Sequence, residues 1–181
     1  MGPRLGPLIA TSLTLETPRY SRSALCARGL RLGLTDSKET GGFGRMGFTE
    51  SVALALLGYT GDAPVPTSAD ELLGRVFPDI DARLRACCPD SSTAEQCWGV
   101  ELSLPAFGGD PHFGRELIDR LVGRTRLRIV DVRSRVACAG ILNAELRAGR
   151  NKLEVDLALF EDMIESVHRQ HGANRYYGCV L

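Results

Sequence analysis

The polar triplet Asp36-Ser37-Lys38 combines a carboxylate, a hydroxyl and an ammonium group in adjacent positions. A lysine beside a serine suits a phosphate group, because the ammonium supplies charge and the hydroxyl donates a hydrogen bond. Such contacts position a nucleic-acid backbone without reading its base sequence. Ser37 and Lys38 are therefore candidate substrate-binding residues, and the plain alternative is a capped loop with an exposed lysine.

Cysteine and histidine residues suggest a metal site only weakly. Three cysteines at positions 87, 88 and 97, taken with His112, lack the closely spaced pairs on both sides that a structural zinc ion uses. His168 and His171 lie near the C-terminal end of a predicted helix, where the helix dipole stabilises a positive charge. The chain has three histidines, and none has an identifiable partner for a nucleophilic triad.

The glycine-rich stretch at residues 42–47, Gly-Phe-Gly-Arg-Met-Gly, has the spacing of a dinucleotide-binding loop. That fingerprint requires a strand directly before it and an acidic residue after a second strand. Here polar residues 35–40 precede it, and Asp62 follows a predicted helix and a turn. We favour a flexible loop, and keep a small-molecule site in an unrelated α/β protein as a third hypothesis.

Composition limits the class of protein. A chain of 181 residues with 44% hydrophobic and 24% charged residues is typical of one globular domain. Lysine plus arginine and aspartate plus glutamate each number 22, so any nucleic-acid binding must depend on local basic patches. No stretch approaches the roughly 20 apolar residues of a membrane span. Six cysteines without an export signal predict free thiols and a cytoplasmic location.

The first half of the chain predicts strands followed by helices. Residues 8–15 are apolar and β-branched, which predicts a strand, and residues 25–34 predict a second strand whose alternation is blurred by arginines and a glycine. A short apolar helix is expected from residue 49 or 50 to 57. Ser68 and Glu71 form a capping-box pattern for another helix that ends near Pro78. A further helix at residues 79–87 and a polar loop at 88–97 complete this half.

The second half predicts a more regular alternation. Residues 99–104 suggest a strand, and Asp110-Pro111 is a helix start with Gly123 as its stop. Residues 127–138 predict an extended strand that is wetter at its far end. A long helix follows from the Asn151 cap to Gly172, and residues 175–181 predict a final strand. The long helix carries an apolar stripe that is expected to face the core and comprises Leu153, Leu157, Phe160, Ile164 and Val167.

Three segments, in this order, resemble the type 2 ribonuclease H family. Residues 2–9, Gly-Pro-Arg-Leu-Gly-Pro-Leu-Ile, are similar to the stretch that follows the family's Asp-Glu-Ala-Gly-x-Gly-Pro signature. Residues 32–38, Leu-Gly-Leu-Thr-Asp-Ser-Lys, resemble its Leu-Gly-Val-x-Asp-Ser-Lys segment. Residues 151–156, Asn-Lys-Leu-Glu-Val-Asp, look like the Asn-x-x-Glu start of the helix before a catalytic strand, which residues 175–181 would form. The middle of the chain departs from the pattern.

The resemblance implies an α/β fold in which an RNase H-like mixed β-sheet is flanked by helices. Residues 1–181 would form a single domain, incomplete at both termini, with a mostly helical insertion at about residues 40–126. The order of predicted elements agrees with a mixed sheet, because strands and helices do not alternate regularly.

The function implied by the resemblance is metal-dependent endonuclease cleavage of RNA–DNA hybrids, or of DNA at an embedded ribonucleotide, with Mg²⁺ or Mn²⁺. Two cations about 4 Å apart would activate the water and stabilise the leaving oxygen, and carboxylates would hold them. The family's carboxylates would fall before Gly2 and after Leu181, so we expect no catalytic residue within the chain and no activity as written.

The resemblance also suggests how the chain would contact its substrate. Gly2 matches a glycine whose backbone approaches the ribonucleotide 2′-OH, the group that distinguishes RNA from DNA, and Ser37 and Lys38 would contact phosphates. The alternative is a non-catalytic RNase H-like module that binds nucleic acid or protein through the insertion at about residues 40–126. No membrane partner is expected.

Overall fold

The computed structural model describes residues 7–16, 22–35, 43–60, 64–77, 101–125 and 127–172. These ranges form strands and α-helices together, which confirms the α/β class. The elements in chain order are β1 (Leu8–Glu16), α1 (Arg22–Arg31), α2 (Met46–Leu57), α3 (Ala69–Val76), α4 (Pro111–Thr125), β2 (Arg128–Ala137), α5 (Ala139–Arg147) and α6 (Lys152–His171).

The described sheet consists of β1 and β2, which pair antiparallel. The register runs from Leu8 opposite Ala137 to Glu16 opposite Arg128, with a bulge at Thr14. Both strands match the sequence prediction, because β-branched and apolar residues favour the extended backbone at these positions.

Helices cover both faces of this sheet. Side chains of a strand alternate between faces, so Arg133 and Arg135 of β2 point toward α6, whereas Val132 and Val136 point toward the opposite side. There the valines pack against an apolar cluster contributed by the ends of α2 and α3, which comprises Leu57, Val76 and Phe77. The described part of the chain therefore has a layer of helices on each side of the sheet.

Helices α2 and α4 approach each other closely beside the sheet. At Gly114 an added side-chain carbon would collide with the carbonyl group of Ser51, so this crossing depends on glycine. Ala55 of α2 and Ile118 of α4 are each 1% exposed and share a cluster with the start of β2. Close backbone approach and full burial identify this contact as the main apolar core.

Helix α4 begins where the sequence predicts it. The Asp110 carboxylate accepts hydrogen bonds from the backbone N–H groups of His112 at 2.9 Å and Phe113 at 3.2 Å. The predicted stop at Gly123 is wrong, because the helix continues through Gly123 to Thr125. Gly123 does not adopt a positive φ, the conformation for which helices commonly end on glycine.

Helix α3 has the predicted N-terminal cap. The Ser68 hydroxyl accepts a hydrogen bond from the Glu71 backbone N–H at 3.2 Å. The Glu71 carboxylate in turn accepts from the Thr67 backbone N–H at 2.7 Å, and this bond is the main reason that the pKa of Glu71 is lowered. The helix ends at Val76, shortly before Pro78, as the sequence indicates.

The strand predicted at residues 25–34 is wrong, since this region forms helix α1. Leu25 packs against the apolar core. Arg28 and Arg31 fall in the last helical turn, where cations interact favourably with the helix dipole. The arginines and the glycine that blurred the strand pattern therefore belong to a helix.

Three smaller differences separate the sequence prediction from the structure. Helix α2 begins at Met46 rather than at residue 49 or 50. Residues 101–104 form no strand, only one bridge between Ser68 and Ser103. Helix α5 was not predicted, because its cap is the Cys138 thiol, which accepts a hydrogen bond from the Ile141 N–H at 3.4 Å and is not a usual capping group.

Helix α6 has the predicted ends. The Asn151 side chain accepts from the Glu154 N–H at 3.0 Å and the Glu154 carboxylate accepts from the Asn151 N–H at 2.7 Å, which completes a capping box. Gly172 follows the helix with a φ of 74°. Local hydrogen bonds thus set both ends.

The buried face predicted for α6 is wrong. Leu153, Leu157 and Ile164 are 65%, 46% and 58% exposed, whereas Val155 and Met163 are 4% and 1% exposed. Of the predicted stripe only Val167 is buried, and Phe160 is half-buried. The physical reason is that β2 presents arginines to this helix, so the side of α6 that carries hydrogen-bonding groups faces the sheet.

Several predictions fall on residues that the structure does not describe. They are the helix at residues 79–87, the loop at 88–97 and the strand at 175–181. Among the helices that are described, none has both the length and the apolar character needed to span a bilayer.

Candidate nucleic-acid interface

Helix α1 ends in a well-defined cap that leads toward the Asp36-Ser37-Lys38 triplet. Gly33 takes a φ of 80°, its N–H donates to the Leu30 carbonyl at 3.1 Å, and the Leu34 N–H donates to the Gly29 carbonyl at 2.9 Å. This pair of bonds is a Schellman motif, which requires glycine at the left-handed position. The chain therefore leaves α1 in a fixed direction just before residue 36.

Residues 43–48, which follow the segment 36–42, lie beside this cap. Residues 43–45 form a short 3-10 helix that continues into α2. A side-chain carbon added at Gly33 would lie 3.8 Å from the Phe48 ring, so the end of α1 and the start of α2 are neighbours. Phe48 also packs edge-on against Phe113 of α4, with ring centroids 6.2 Å apart. Phe48 therefore lies between the end of α1 and α4, close to the segment that joins α1 to α2.

Both flanking points carry exposed arginines. Arg31 lies in the last turn of α1, and Arg45 immediately precedes α2. The nearest acidic side chain on α2, Glu50, is occupied elsewhere, because its carboxylate accepts from the backbone N–H groups of Phe107 at 2.8 Å and Gly109 at 3.0 Å. Arginine side chains at such a position can neutralise phosphate charge and release its counterions.

The substrate-binding residues named from the sequence lie outside the described ranges. Gly2, Ser37 and Lys38 stay predictions. The structure brings together the elements on either side of the segment that holds Ser37 and Lys38, and it adds Arg31 and Arg45, which sequence reasoning missed. A sequence signal for them existed, because Arg31 directly precedes the Leu-Gly-Leu-Thr-Asp-Ser-Lys segment and Arg45 lies within the glycine-rich stretch.

Gly47, in the described part of the glycine-rich stretch, has a packing explanation. Residues 43–45 form the 3-10 helix, and Gly47 lies in the first turn of α2. A side-chain carbon at Gly47 would lie 2.9 Å from the Phe107 carbonyl oxygen, so glycine is needed for a loop of the same chain. The hypothesis of a small-molecule site gains no support from these residues.

An apolar crevice of about 180 Å³ lies beneath α1. Leu25 and Gly29 of α1 form one side, and Leu13 of β1, Leu56 of α2 and Leu127 contribute to the remainder. Apart from the thiol of Cys26 on α1, the side chains that line the crevice are aliphatic, so it offers one potential metal ligand and no carboxylate, imidazole or amine. It marks where α1 packs incompletely on the core.

Two largely buried arginines between β2 and α6, each paired with a carboxylate, form the feature that the sequence prediction misread. Arg133 bonds to Asp131 and to the Ser166 hydroxyl, and Arg135 bonds to Asp162. The side chains of both arginines are 14% exposed. The prediction that this end of the strand is wetter is wrong, since α6 covers it. Each arginine has a carboxylate partner, which fits a structural role.

Tyr59 forms a second polar group at the end of α2. Its hydroxyl donates to the Asp119 carboxylate, and the Arg115 guanidinium lies 3.9 Å from its ring centroid. Burial, followed by the Asp119 hydrogen bond, raises the pKa of Tyr59 to about 12. At neutral pH this tyrosine is therefore a hydrogen-bond donor and not a base.

Metal sites receive no support within the described ranges. There, no three His, Cys, Asp or Glu side chains come together in a way that could hold a metal ion. His112 is exposed and lies 3.8 Å from Glu116, and His168 and His171 lie in the last turn of α6. Cys26 and Cys138 are free thiols, as predicted; the cysteines at 87, 88 and 97 lie outside these ranges.

No protein family, characterised protein or solved structure matches this chain at a significant level. Function must therefore be argued from the chain's own residues. The junction between α1 and α2, with arginines on both sides of the Ser37-Lys38 segment, carries that argument furthest.

Proposed function

We propose that this chain is a type 2 ribonuclease H-like protein that binds RNA–DNA hybrids, or DNA with embedded ribonucleotides, the substrates of metal-dependent cleavage in that family, and that it does not cleave them as written because it lacks the expected catalytic carboxylates. Ser37 and Lys38 would contact the phosphate backbone from the segment between α1 and α2. The observation that carries the proposal is that the end of α1 and the start of α2, which flank Ser37 and Lys38 in sequence, lie close together at Gly33 and Phe48 and that each carries an exposed arginine, Arg31 or Arg45.

The order of the described elements supports the proposal. Strand β1 begins at Leu8, directly after the Gly6-Pro7 pair with which the resemblance leads into a strand. Helix α6 begins with a capping box between Asn151 and Glu154, at the Asn-x-x-Glu segment of the resemblance. It packs on both strands. These elements recur in the sequence order of the family, while the RNase H-like sheet itself remains part of the proposal.

The chemistry of binding follows from the residue types. Arg31, Arg45 and Lys38 would supply positive charge that Asp36 and Glu39 of the same stretch offset only in part. Ser37 would donate a hydrogen bond to phosphate, and the Gly2 backbone would approach a 2′-OH. Mg²⁺ or Mn²⁺ would be held by carboxylates that the resemblance places before Gly2 and after Leu181. No catalytic residue is assigned within the chain.

A reducing compartment suits the proposal. The free thiols of Cys26 and Cys138 would be stable in a reducing compartment such as the cytoplasm, where we propose that the protein acts.

Binding can be tested by fluorescence anisotropy on the full chain with a labelled RNA–DNA hybrid and with DNA of the same sequence. Changing Arg31, Lys38 or Arg45 to glutamine is expected to weaken hybrid binding and to lower the salt slope by about 1 for each lost phosphate contact. The matched control is Arg147→Gln, which removes an exposed arginine from α5 on another part of the surface.

The outcomes separate the proposal from its alternatives. Saturable binding with a preference for the hybrid, lost in the three variants and kept in the control, supports it. An equal loss in Arg147→Gln, or no saturable binding, contradicts it. Hybrid cleavage by this chain with added Mn²⁺ would contradict the placement of the carboxylates. A non-catalytic binding module is favoured if a longer form that carries those carboxylates binds the hybrid and leaves it intact.

A further inference from the structure

Helix α6 carries an apolar stripe that the other described helices and strands leave exposed. Leu153, Leu157 and Ile164 are 65%, 46% and 58% exposed, and half-buried Phe160 lies between them. Their steps of four, three and four residues keep them on one side of an α-helix. We refer to these four residues as the outer stripe. Such spacing is that of a seam between two packed helices.

The outer stripe faces away from the sheet because other residues of α6 hold the helix in place. Val155 and Met163 fill the core on the opposite side. Asp162 and Ser166 bond to the two arginines of β2. A rotation that buried Ile164 would break these bonds and expose Met163. The stripe is therefore a stable surface feature.

An acidic ridge runs directly beside the outer stripe. The period of the helix places Glu154, Glu161 and Glu165 along one flank of it, and all three are exposed. Glu154 is engaged in the capping box. Glu161 and Glu165 take part in none of the ion pairs or hydrogen bonds found among the described residues. The surface thus joins apolar area to unneutralised negative charge.

The ridge determines which partner the stripe fits. In a second copy packed antiparallel on the first, the acidic ridges of the two helices would face each other, with Glu154 near Glu161 of the other copy, and like charges across a helix pair are unfavourable. An anionic lipid surface is disfavoured for the same reason. A basic helix with leucines or isoleucines at matching steps satisfies both the apolar stripe and the ridge.

We propose that the outer stripe and the acidic ridge of α6 form a docking surface for an amphipathic, lysine- or arginine-rich helix of a partner protein. This surface lies on α6, whereas the proposed nucleic-acid interface lies at the junction of α1 and α2. The two assignments are independent. Leucines of the partner would pack between Leu153, Leu157 and Ile164, and its cations would lie against Glu161 and Glu165.

A pair of synthetic peptides tests the proposal on the full chain. Both have about 18 residues, enough for a short helix, with leucines at alternating steps of three and four. One carries lysines beside the leucines and the other carries glutamates. Isothermal titration calorimetry is expected to show saturable 1:1 binding of the lysine peptide. The affinity of the glutamate peptide should be lower by about tenfold or more.

Variants assign the binding to the stripe. Leu157→Ser and Ile164→Ser are each expected to weaken the lysine peptide about tenfold, the effect of losing one apolar anchor. The control is Leu146→Ser, which removes a leucine of similar exposure, 44%, from α5 outside the stripe. Changing Glu161 and Glu165 together to glutamine should reduce both the affinity and its dependence on salt.

Each outcome decides the proposal. All of these residues are exposed, so the variants should keep the melting temperature of the parent chain, and binding can be compared at equal fold content. Equal binding of the two peptides, equal loss in Leu146→Ser, or no binding at all would overturn the proposal. A dimer detected by light scattering and abolished by Leu157→Ser would also overturn it, because the occupant would then be a second copy.

Discussion

The two faces of the β1–β2 sheet hold their helices by different means. On one face Val132 and Val136 pack into an apolar cluster with α2 and α3. On the other face Arg133 and Arg135 form ion pairs and hydrogen bonds, and α6 supplies Asp162 and a serine as partners. One strand supplies both surfaces, because its successive side chains point to opposite sides.

The difference shows what fixes the rotation of a helix. Apolar contacts can be made by many side chains of similar size, whereas a largely buried guanidinium needs its particular carboxylate, since an unpaired buried charge is strongly unfavourable. Asp162 therefore holds α6 at the angle at which Leu157 and Ile164 face outward. The polar contacts between β2 and α6 therefore leave the apolar stripe of α6 on the surface of the described structure.

The largest expected effect distinguishes two adjacent residues of α6. Met163→Ala should lower the free energy of unfolding by about 2–5 kcal/mol, because Met163 is 1% exposed and its loss leaves a cavity. Ile164→Ala should change it by about 0.5 kcal/mol or less. Urea unfolding followed by circular dichroism measures both. A larger loss of stability in Ile164→Ala than in Met163→Ala would mean that the stripe predicted from the sequence is buried in the core, which would contradict the contrast between the two faces of the sheet.

On the apolar side, Gly114→Ala should destabilise the chain by about 1–3 kcal/mol, since the new methyl group would force α4 away from the Ser51 carbonyl of α2. Gly123→Ala is the matched control in the same helix, because no atom lies within 4 Å of the added carbon. It should stabilise the chain by up to about 1 kcal/mol through its helix propensity. Similar thermal melting of the two variants would contradict this packing.

A smaller effect is expected for the ion pair between Arg135 and Asp162. Asp162→Ala should cost about 1–2 kcal/mol, less than a fully buried pair, because the Asp162 side chain is 40% exposed. Arg135→Met combined with Asp162→Ala should cost less than the sum of the single changes in a double-mutant cycle. The control is Glu145→Ala, which removes the partner of Arg150 in a more exposed pair and should cost about 0.5 kcal/mol or less. If the effects of the two single changes were additive, the ion pair would not be what holds α6 on the charged face of the sheet.

The smallest effect concerns the polar group at the end of α2. Because the pKa of Tyr59 is raised to about 12, the folded chain retains a proton that the unfolded chain releases near pH 10. The contribution of Tyr59 to stability is therefore complete below about pH 10 and is lost as the pH rises through about 12.

Absorbance at alkaline pH, taken as the difference between the parent chain and Tyr59→Phe, should show this late ionisation. Asp119→Asn should move the ionisation of Tyr59 toward lower pH, because the carboxylate that accepts its proton in the hydrogen bond is lost. Ionisation of Tyr59 near pH 10 in the folded parent chain would contradict the polar contact.

Local signals predicted the ends of several elements but few of their contacts. The Asp110-Pro111 start of α4 and the Asn151 cap of α6 are confirmed, because caps depend on residues a few positions apart. The cap of α5 at Cys138 was missed, since a thiol is rarely used in this role. At the candidate interface, sequence named Ser37 and Lys38, whereas Arg31 and Arg45 emerged only when α1 and α2 were seen as neighbours.

Sequence alone determined where β1, β2, α4 and α6 lie, since the backbone preferences and capping bonds that set them act over a few residues. Tertiary structure decided which side of α6 is buried. Leu157 and Ile164 lie on the more regular apolar stripe, yet the arginines of β2, distant in sequence, draw Asp162 and Ser166 toward the sheet. Periodicity identifies an amphipathic helix, but the charge that a neighbouring element presents determines which face it buries.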